Sequence, residues 1–351
     1  MNTRVLMSTV RALVSTVGLA LGCLAGAGAA LAAGAAVATY GSQDVSSYGP
    51  GPRSFTVETV KAVEHKSVQP RKRLRRNSLS VASKSGLRET PDPLELSSSV
   101  AYMVDQDTGE VYFEKNAYIQ LPIASVTKLM TALVIAQSEL PLKTKLKVTR
   151  ADYVKSTADS KLRSGMVLTR EDTLRAALMS SDNRAAHMLA RTYPGGVKVF
   201  VEKMNETARE LGMHDSHFTD PTGLSNENVS TAHDLAILAA RVHEYPFLAK
   251  ASTGAVALIN TGASKLSLMT TNRLIGDPRW KVGLQKTGYT RAAGRCMVVQ
   301  SEFAGHRVVM VVLDSETNGK RANDMLKMRR WLEDEVRFED QFANVAPFAL
   351  M

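Results

Sequence analysis

Acidic residues are missing from the start of this chain. Residues 1–43 contain no Asp or Glu and only two basic residues, Arg4 and Arg11. A basic opening, an apolar stretch from Leu13 to Leu24 and Ala/Gly-rich sequence to Ala38 together have the makeup of a cleavable secretory signal peptide. Residues 1–38 are assigned to it, with Ala30-Leu31-Ala32 as one cleavage site and Val37-Ala38 as a later one. An uncleaved anchor is the alternative, but so much alanine and glycine makes a weak span. Export implies a periplasmic protein. Cysteine is scarce too, with two in 351 residues. Cys23 lies inside the apolar stretch, and Ala20 three residues before it is no lipoprotein signal. Cleavage leaves Cys296 alone, which excludes an internal disulfide. In Cys296-Met297-Val298-Val299 that thiol reads as a buried strand residue, not a nucleophile. His-x-His and His-Glu-x-x-His are absent. His214 and His217 sit in a Gly-Met-His-Asp-Ser-His loop, so no metal and no cofactor is expected.

The charge is uneven. Residues 53–88 carry ten Lys/Arg against Glu58 and Glu64, which leaves only +1 of the total +10 for residues 89–351. The run Arg71-Lys72-Arg73-Leu74-Arg75-Arg76 cannot build a core, so residues 39–95 read as a disordered basic linker. An exported chain rarely meets nucleic acid, and none is expected as a partner. Contact between residues 53–88 and anionic lipid or cell-wall carboxylates is one reading, and a solvated spacer is the other.

Ser99–Val104 and Glu110–Phe113 alternate like strands around the turn Asp105-Gln106-Asp107-Thr108-Gly109. Helical patterns follow over Glu171–Leu178, Arg184–Thr192, Gly196–Leu211 and Thr231–His243. Strand patterns return at Lys281–Gln285, Gly294–Ser301 and Arg307–Leu313, and Lys320–Val336 reads as a closing helix. Strands at both ends with helices between them predict one α+β unit, an antiparallel five-stranded sheet with an inserted helical lobe. The domain is placed at 96–340, with a tail at 341–351.

Ser125 and Lys128 stand three residues apart, just after Pro122 and at the start of an apolar helix, so they share a face. A buried lysine that stays neutral can take a serine's proton. An N-cap serine with a solvated lysine is the plainer reading of that pair alone. Ser181-Asp182-Asn183 after the apolar run Leu174–Met179, and Lys286-Thr287-Gly288 after Trp280–Gln285, change the weighing. Each pattern occurs once, and the three in this order form the signature of penicillin-binding proteins and class A β-lactamases.

The chain resembles the low-molecular-mass penicillin-binding proteins, in their D-alanyl-D-alanine endopeptidase branch. The resemblance covers roughly residues 97–335. It runs through Leu121-Pro122-Ile123-Ala124-Ser125-Val126-Thr127-Lys128, Ala177-Leu178-Met179-Ser180-Ser181-Asp182-Asn183-Arg184, Asp220-Pro221-Thr222-Gly223 and Lys286-Thr287-Gly288-Tyr289-Thr290. It implies a β-lactamase-like transpeptidase fold. It also implies that Ser125 attacks a D-alanyl carbonyl to form an acyl-enzyme and that Lys128 is the base, its pKa lowered by repulsion from Lys286. Ser181 would relay a proton to the leaving amine and Asn183 would hold the acyl-side peptide. Lys286 and Thr287 would bind the neighbouring carboxylate, Gly288 would admit the substrate, and the backbone N–H groups of Ser125 and Tyr289 would form the oxyanion hole. Ser181 and Asn183 could equally cap the helix that follows. His187 reads as a packing or surface residue, and Asp220-Pro221-Thr222-Gly223 as a turn bordering the site.

Three activities compete within the resemblance. No Glu-x-x-Leu-Asn lies between Asn183 and Lys286, which argues against a β-lactamase. A membrane-anchored carboxypeptidase would carry a second β-domain and an amphipathic C-terminal helix, neither of which is read here. The expectation is therefore a D,D-endopeptidase acting on peptidoglycan cross-links and acylated by β-lactams. A D,D-carboxypeptidase is the alternative, and a penicillin-fold binding or sensor module is a third reading.

Overall fold

A computed structural model of the chain describes residues 79–343 except 157, 263 and 304, with side chains as far as residue 334. The signal segment and the run Arg71–Arg76 lie outside the described residues. The first elements are α1 (Val81–Lys84) and a 3-10 turn (Leu87–Glu89), followed by the hairpin β1 (Val100–Asp105) and β2 (Val111–Lys115). Asp105 closes that hairpin by accepting the N–H groups of Asp107 and Thr108 at 2.8 Å, beside a left-handed Gly109. β3 (Leu121–Pro122) leads into a 3-10 turn (Ala124–Thr127) and α2 (Lys128–Gln137). Every residue of α2 from Lys128 to Ile135 is buried, which makes it the central helix.

The helical lobe comprises the small pair β4 (Lys145–Lys147) and β5 (Val167–Thr169), α3 (Arg170–Met179), α4 (Asn183–Arg191) and α5 (Gly196–Glu210). It continues through β6 (Val229–Ser230), α6 (Ala232–His243) and α7 (Pro246–Thr253). Its helix starts are chemically marked. Thr169 and Thr231 each accept an N–H from the third residue on, and Pro246 stands in the first turn of α7. The hairpin β7 (Val256–Asn260) and β8 (Lys265–Met269) precedes three ten-residue strands, β9 (Lys281–Thr290), β10 (Gly294–Phe303) and β11 (His306–Ser315). α8 (Asn318–Ala343) closes the described chain.

The main sheet has the order β2-β1-β11-β10-β9, and every pairing in it is antiparallel. Its two faces serve two cores. Along β11, Val309, Val311 and Leu313 join the helical lobe, while Val308, Met310 and Val312 pack with Met325, Met328 and Leu332 of α8. A strand covered on both sides is apolar at every position, which explains the unbroken run Val308–Leu313. β9 has a neighbour on one side only in this sheet, so the Lys286-Thr287-Gly288 segment lies on its edge.

The expected five-stranded sheet and helical insert are present. The unit starts earlier than Leu96, however. Ala82 is buried, and Ser83 and Arg88 reach Asp314, which also accepts from Ser99 at 2.6 Å. A carboxylate as buried as Asp314 needs those donors, so part of the stretch read as linker belongs to the fold. Arg88 is thereby spent on Asp314 and Glu316. α8 also runs to Ala343, past the expected end near Val336 and into the stretch read as tail. The strands β4, β5, β7 and β8 and the helix α7 carried no pattern clear enough to assign.

Candidate active site

The serine turn is built under constraint. Ala124 is left-handed (φ 49°), an uncommon conformation for a residue with a Cβ. Gly223, at φ 80°, lies so close that a Cβ there would stand 1.9 Å from the Ala124 carbonyl oxygen. Thr131 donates to the Pro221 carbonyl at 2.7 Å. The turn read at Asp220–Gly223 therefore holds the back of the Ser125 turn, with Asp220 accepting the N–H groups of Thr222, Gly223 and Ser225.

Lys128 opens α2 with its side chain fully buried. Its Nζ lies 2.8 Å from Ser125 Oγ, 2.7 Å from Asn183 Oδ1 and 2.6 Å from the Thr222 carbonyl. Among the described residues no carboxylate touches it. As an ammonium it donates to all three groups. As a neutral amine it keeps two N–H bonds for Asn183 and Thr222, and its lone pair is left to accept the Ser125 hydroxyl proton. Burial pushes its pKa down to about 7, against the more distant carboxylates of Asp220 and Asp182, which raise it. The lowering expected from Lys286 is thus an effect of burial, and the repulsion acts on Lys286 instead.

A second amine–hydroxyl pair faces the first. Lys286, also fully buried, donates to Ser181 Oγ at 2.9 Å and to the Thr287 carbonyl at 2.8 Å. Its pKa lies well below the ordinary lysine value, through burial first and then repulsion from Lys128 and Arg321. The charge expected of Lys286 toward a substrate carboxylate is therefore opposed by its surroundings, and its amine is engaged with Ser181. Thr287 Oγ1 meets Thr271 Oγ1 at 2.6 Å. At Gly288 a Cβ would stand 3.0 Å from the Ile123 carbonyl oxygen and 3.1 Å from Ser125 N. This glycine brings the edge strand against the serine turn itself. Tyr289, next along β9, has an exposed ring with the Arg295 guanidinium 4.6 Å from its centre.

Neither Ser181 nor Asn183 caps α4. Asp182 does so, accepting from Ala185 N at 3.0 Å. Ser181 is left-handed (φ 59°) in the corner between α3 and α4, which aims it at Lys286. Asn183 is spent inside the site, accepting from Lys128 and donating to Ser156 Oγ at 3.0 Å. Ser156 and Thr271 are site residues that sequence reasoning did not single out, and Thr222 reads there only as part of a turn bordering the site. Thr222 acts through its carbonyl, which no side-chain pattern reports.

The side readings separate cleanly from this centre. Cys296 is buried in β10, and burial pushes its thiol up to about 12, which leaves it protonated. His187 lies 3.5 Å from Asp152, which also receives Arg191. His217 pairs with Val229 through its backbone.

Two hydroxyls, each beside a lysine that burial makes easy to deprotonate, can accept and return protons across a carbonyl carbon. Comparison with known proteins agrees with that chemistry. The family described as peptidase S11, D-alanyl-D-alanine carboxypeptidase, matches residues 87–317. A D-alanyl-D-alanine endopeptidase from Pseudomonas aeruginosa is 41% identical over 73% of this chain and 83% of its own length. One from Escherichia coli is 38% identical over 72% and 82%. Penicillin-binding protein D2 from Listeria monocytogenes, solved in its cefotaxime-bound form, superposes with a TM-score of 0.62 at 30% identity, covering 69% of this chain and 99% of that one. The chain belongs to the D-alanyl-D-alanine carboxypeptidase family of serine peptidases.

Proposed function

We propose that this protein is a serine D,D-endopeptidase that hydrolyses the bond between D-alanine and the D-centre amine of meso-diaminopimelate in peptidoglycan cross-links. One observation carries the proposal: Ser125 lies 2.8 Å from a fully buried lysine amine whose other partners are uncharged. In the first step Lys128 takes the Ser125 proton while Oγ bonds to the D-alanyl carbonyl carbon. The Ser125 and Tyr289 N–H groups stabilise the oxyanion. As the C–N bond breaks, Ser181 gives its proton to the leaving amine and takes in exchange the one that Lys128 removed from Ser125, while Lys286 holds Ser181 in place. Lys128, neutral again, takes a proton from the attacking water and passes it to Ser125 Oγ as the ester breaks, which releases the D-alanyl carboxylic acid. A β-lactam acylates the same oxygen and blocks the cycle.

Removal of terminal D-alanine is the second reading. It is favoured by the carboxypeptidase description of the matching family and by the geometry of the substrates, because the D-centre of meso-diaminopimelate carries its carboxylate where a terminal D-alanine would. The signal-like residues 1–38 support export to the periplasm, and the basic stretch supports either contact with the wall or anionic lipid or a solvated spacer. Both rest on the sequence alone.

The test uses the purified protein and its Ser125→Ala variant on cross-linked muropeptide dimers and on monomeric pentapeptide, with products read by mass. Dimer conversion to monomers by the unmodified protein alone is the expected result. Loss of only terminal D-alanine would transfer the assignment to the second reading. No turnover of either, with penicillin still bound, would favour a sensor.

A further inference from the structure

Beside Ser181 and Asn183 the surface sinks into a cavity of about 100 Å³, walled on its outer side by residues 158–161. The site itself holds this loop. Ser156 Oγ accepts from Asn183, and Ser160 Oγ donates to Asp182 Oδ2 at 2.7 Å and accepts from Leu162 N at 3.1 Å. Leu162 is completely buried below. On the far side Lys161 Nζ donates to the Ser267 carbonyl of β8 at 3.1 Å, so the loop spans from α4 to the β7–β8 hairpin. Between these anchors Asp159 and Lys161 line the cavity, both exposed. Asp159 has no ion-pair or hydrogen-bond partner among the described residues, and Lys161 keeps two of its three N–H bonds for a ligand. Leu268 forms an apolar wall.

A free carboxylate and an ammonium held two residues apart, on a cavity the size of one side-chain end, complement an ammonium and a carboxylate on a single carbon. We propose that this cavity is a specificity subsite for a side chain with a zwitterionic end, such as the free D-centre of meso-diaminopimelate in the strand that supplies the scissile D-alanyl carbonyl. Its ammonium meets Asp159, its carboxylate meets Lys161 and its methylenes run along Leu268. The inference rests on the peptidase reading above and deepens it. The loop ties recognition of a residue that carries no reacting atom to Asp182 and Asn183, the neighbours of Ser181.

Four cross-linked peptide dimers with one common acceptor strand test this. Their donor residue has a free amino-carboxylate end, the same end with its amine acetylated, the same end with its carboxylate amidated, or a lysine side chain. Each altered dimer should lose about tenfold or more in kcat/KM, the worth of one charge-assisted contact. Asp159→Asn should abolish only the penalty for acetylating the amine. Lys161→Met should abolish only the penalty for amidating the carboxylate, and Lys161→Arg should retain it. Equal turnover of the four dimers by the unmodified enzyme, or variants that discriminate as before, would overturn the subsite and leave the peptidase reading standing. No turnover of any dimer would remove the peptidase reading and the subsite with it.

Discussion

Among the described residues three lysines are almost wholly buried, and they fall into two regions with opposite chemistry. At the sheet edge, Lys115 on β2 meets the Asp92 carboxylate at 2.9 Å, with both side chains nearly inaccessible. In the cleft, Lys128 and Lys286 meet hydroxyls, carbonyls and an amide, and no carboxylate within contact. A buried lysine beside a buried carboxylate is half of an ion pair and acts as a strut. A buried amine among neutral dipoles gains by losing its proton, and it can then take one from a serine. Burial alone does not distinguish the structural lysine from the chemical ones. The partner does.

That contrast can be broken at either end. The largest effect is expected at the nucleophile, where Ser125→Ala should lower covalent labelling by penicillin by a factor on the order of 10⁴ or more, read by intact mass. Lys128→Arg should come next. Arginine retains charge but cannot give up its proton, so acylation should fall by about 10²–10⁴, the usual worth of a general base, with the serine still present. At the sheet edge, Lys115→Met should do the reverse. It strands Asp92 without its cation and should cost about 3–5 kcal/mol in denaturant unfolding, while the folded fraction is acylated at the normal rate. Asp182→Ala should be the mildest, about 1 kcal/mol from the lost α4 cap, with the Ser160 tether lost as well.

The lysines also fix how stability depends on pH. The folded Lys128 titrates near 7 and an unfolded lysine near 10.5. Between those values the unfolded chain binds the extra proton, so this group makes the fold more stable as pH rises. The slope reaches at most about 1.4 kcal/mol per pH unit. The stability difference between the unmodified protein and Lys128→Met should therefore move toward the unmodified protein from pH 7 to pH 10. A difference that stays flat would mean that Lys128 is charged in the fold.

The sheet and the main helices were legible because both faces of β11 and the buried length of α2 leave unbroken apolar signals. Ser125, Lys128, Ser181, Asn183 and Lys286 were legible as motifs. What those motifs do to one another was not. Asp182, and neither of its neighbours, caps α4, and Asn183 serves Lys128. Lys286 serves Ser181. These depend on the left-handed corner at Ser181 and on which acceptors burial brings to each amine. Ser83 and Arg88 were hidden because their role is to answer Asp314, more than 200 positions away in the chain. Thr222 and Thr271 lie in turns where no periodicity marks a side chain or carbonyl that faces the site.

Lys128 acts as a neutral amine at physiological pH, and the rate of Ser125 acylation by benzylpenicillin, followed from pH 5 to pH 9, reports on it. The rate should climb through a midpoint near 7 in the unmodified protein, with the climb lost in Lys128→Arg. A rate that is flat across this range, or that begins to climb only near the ordinary lysine value, would contradict it.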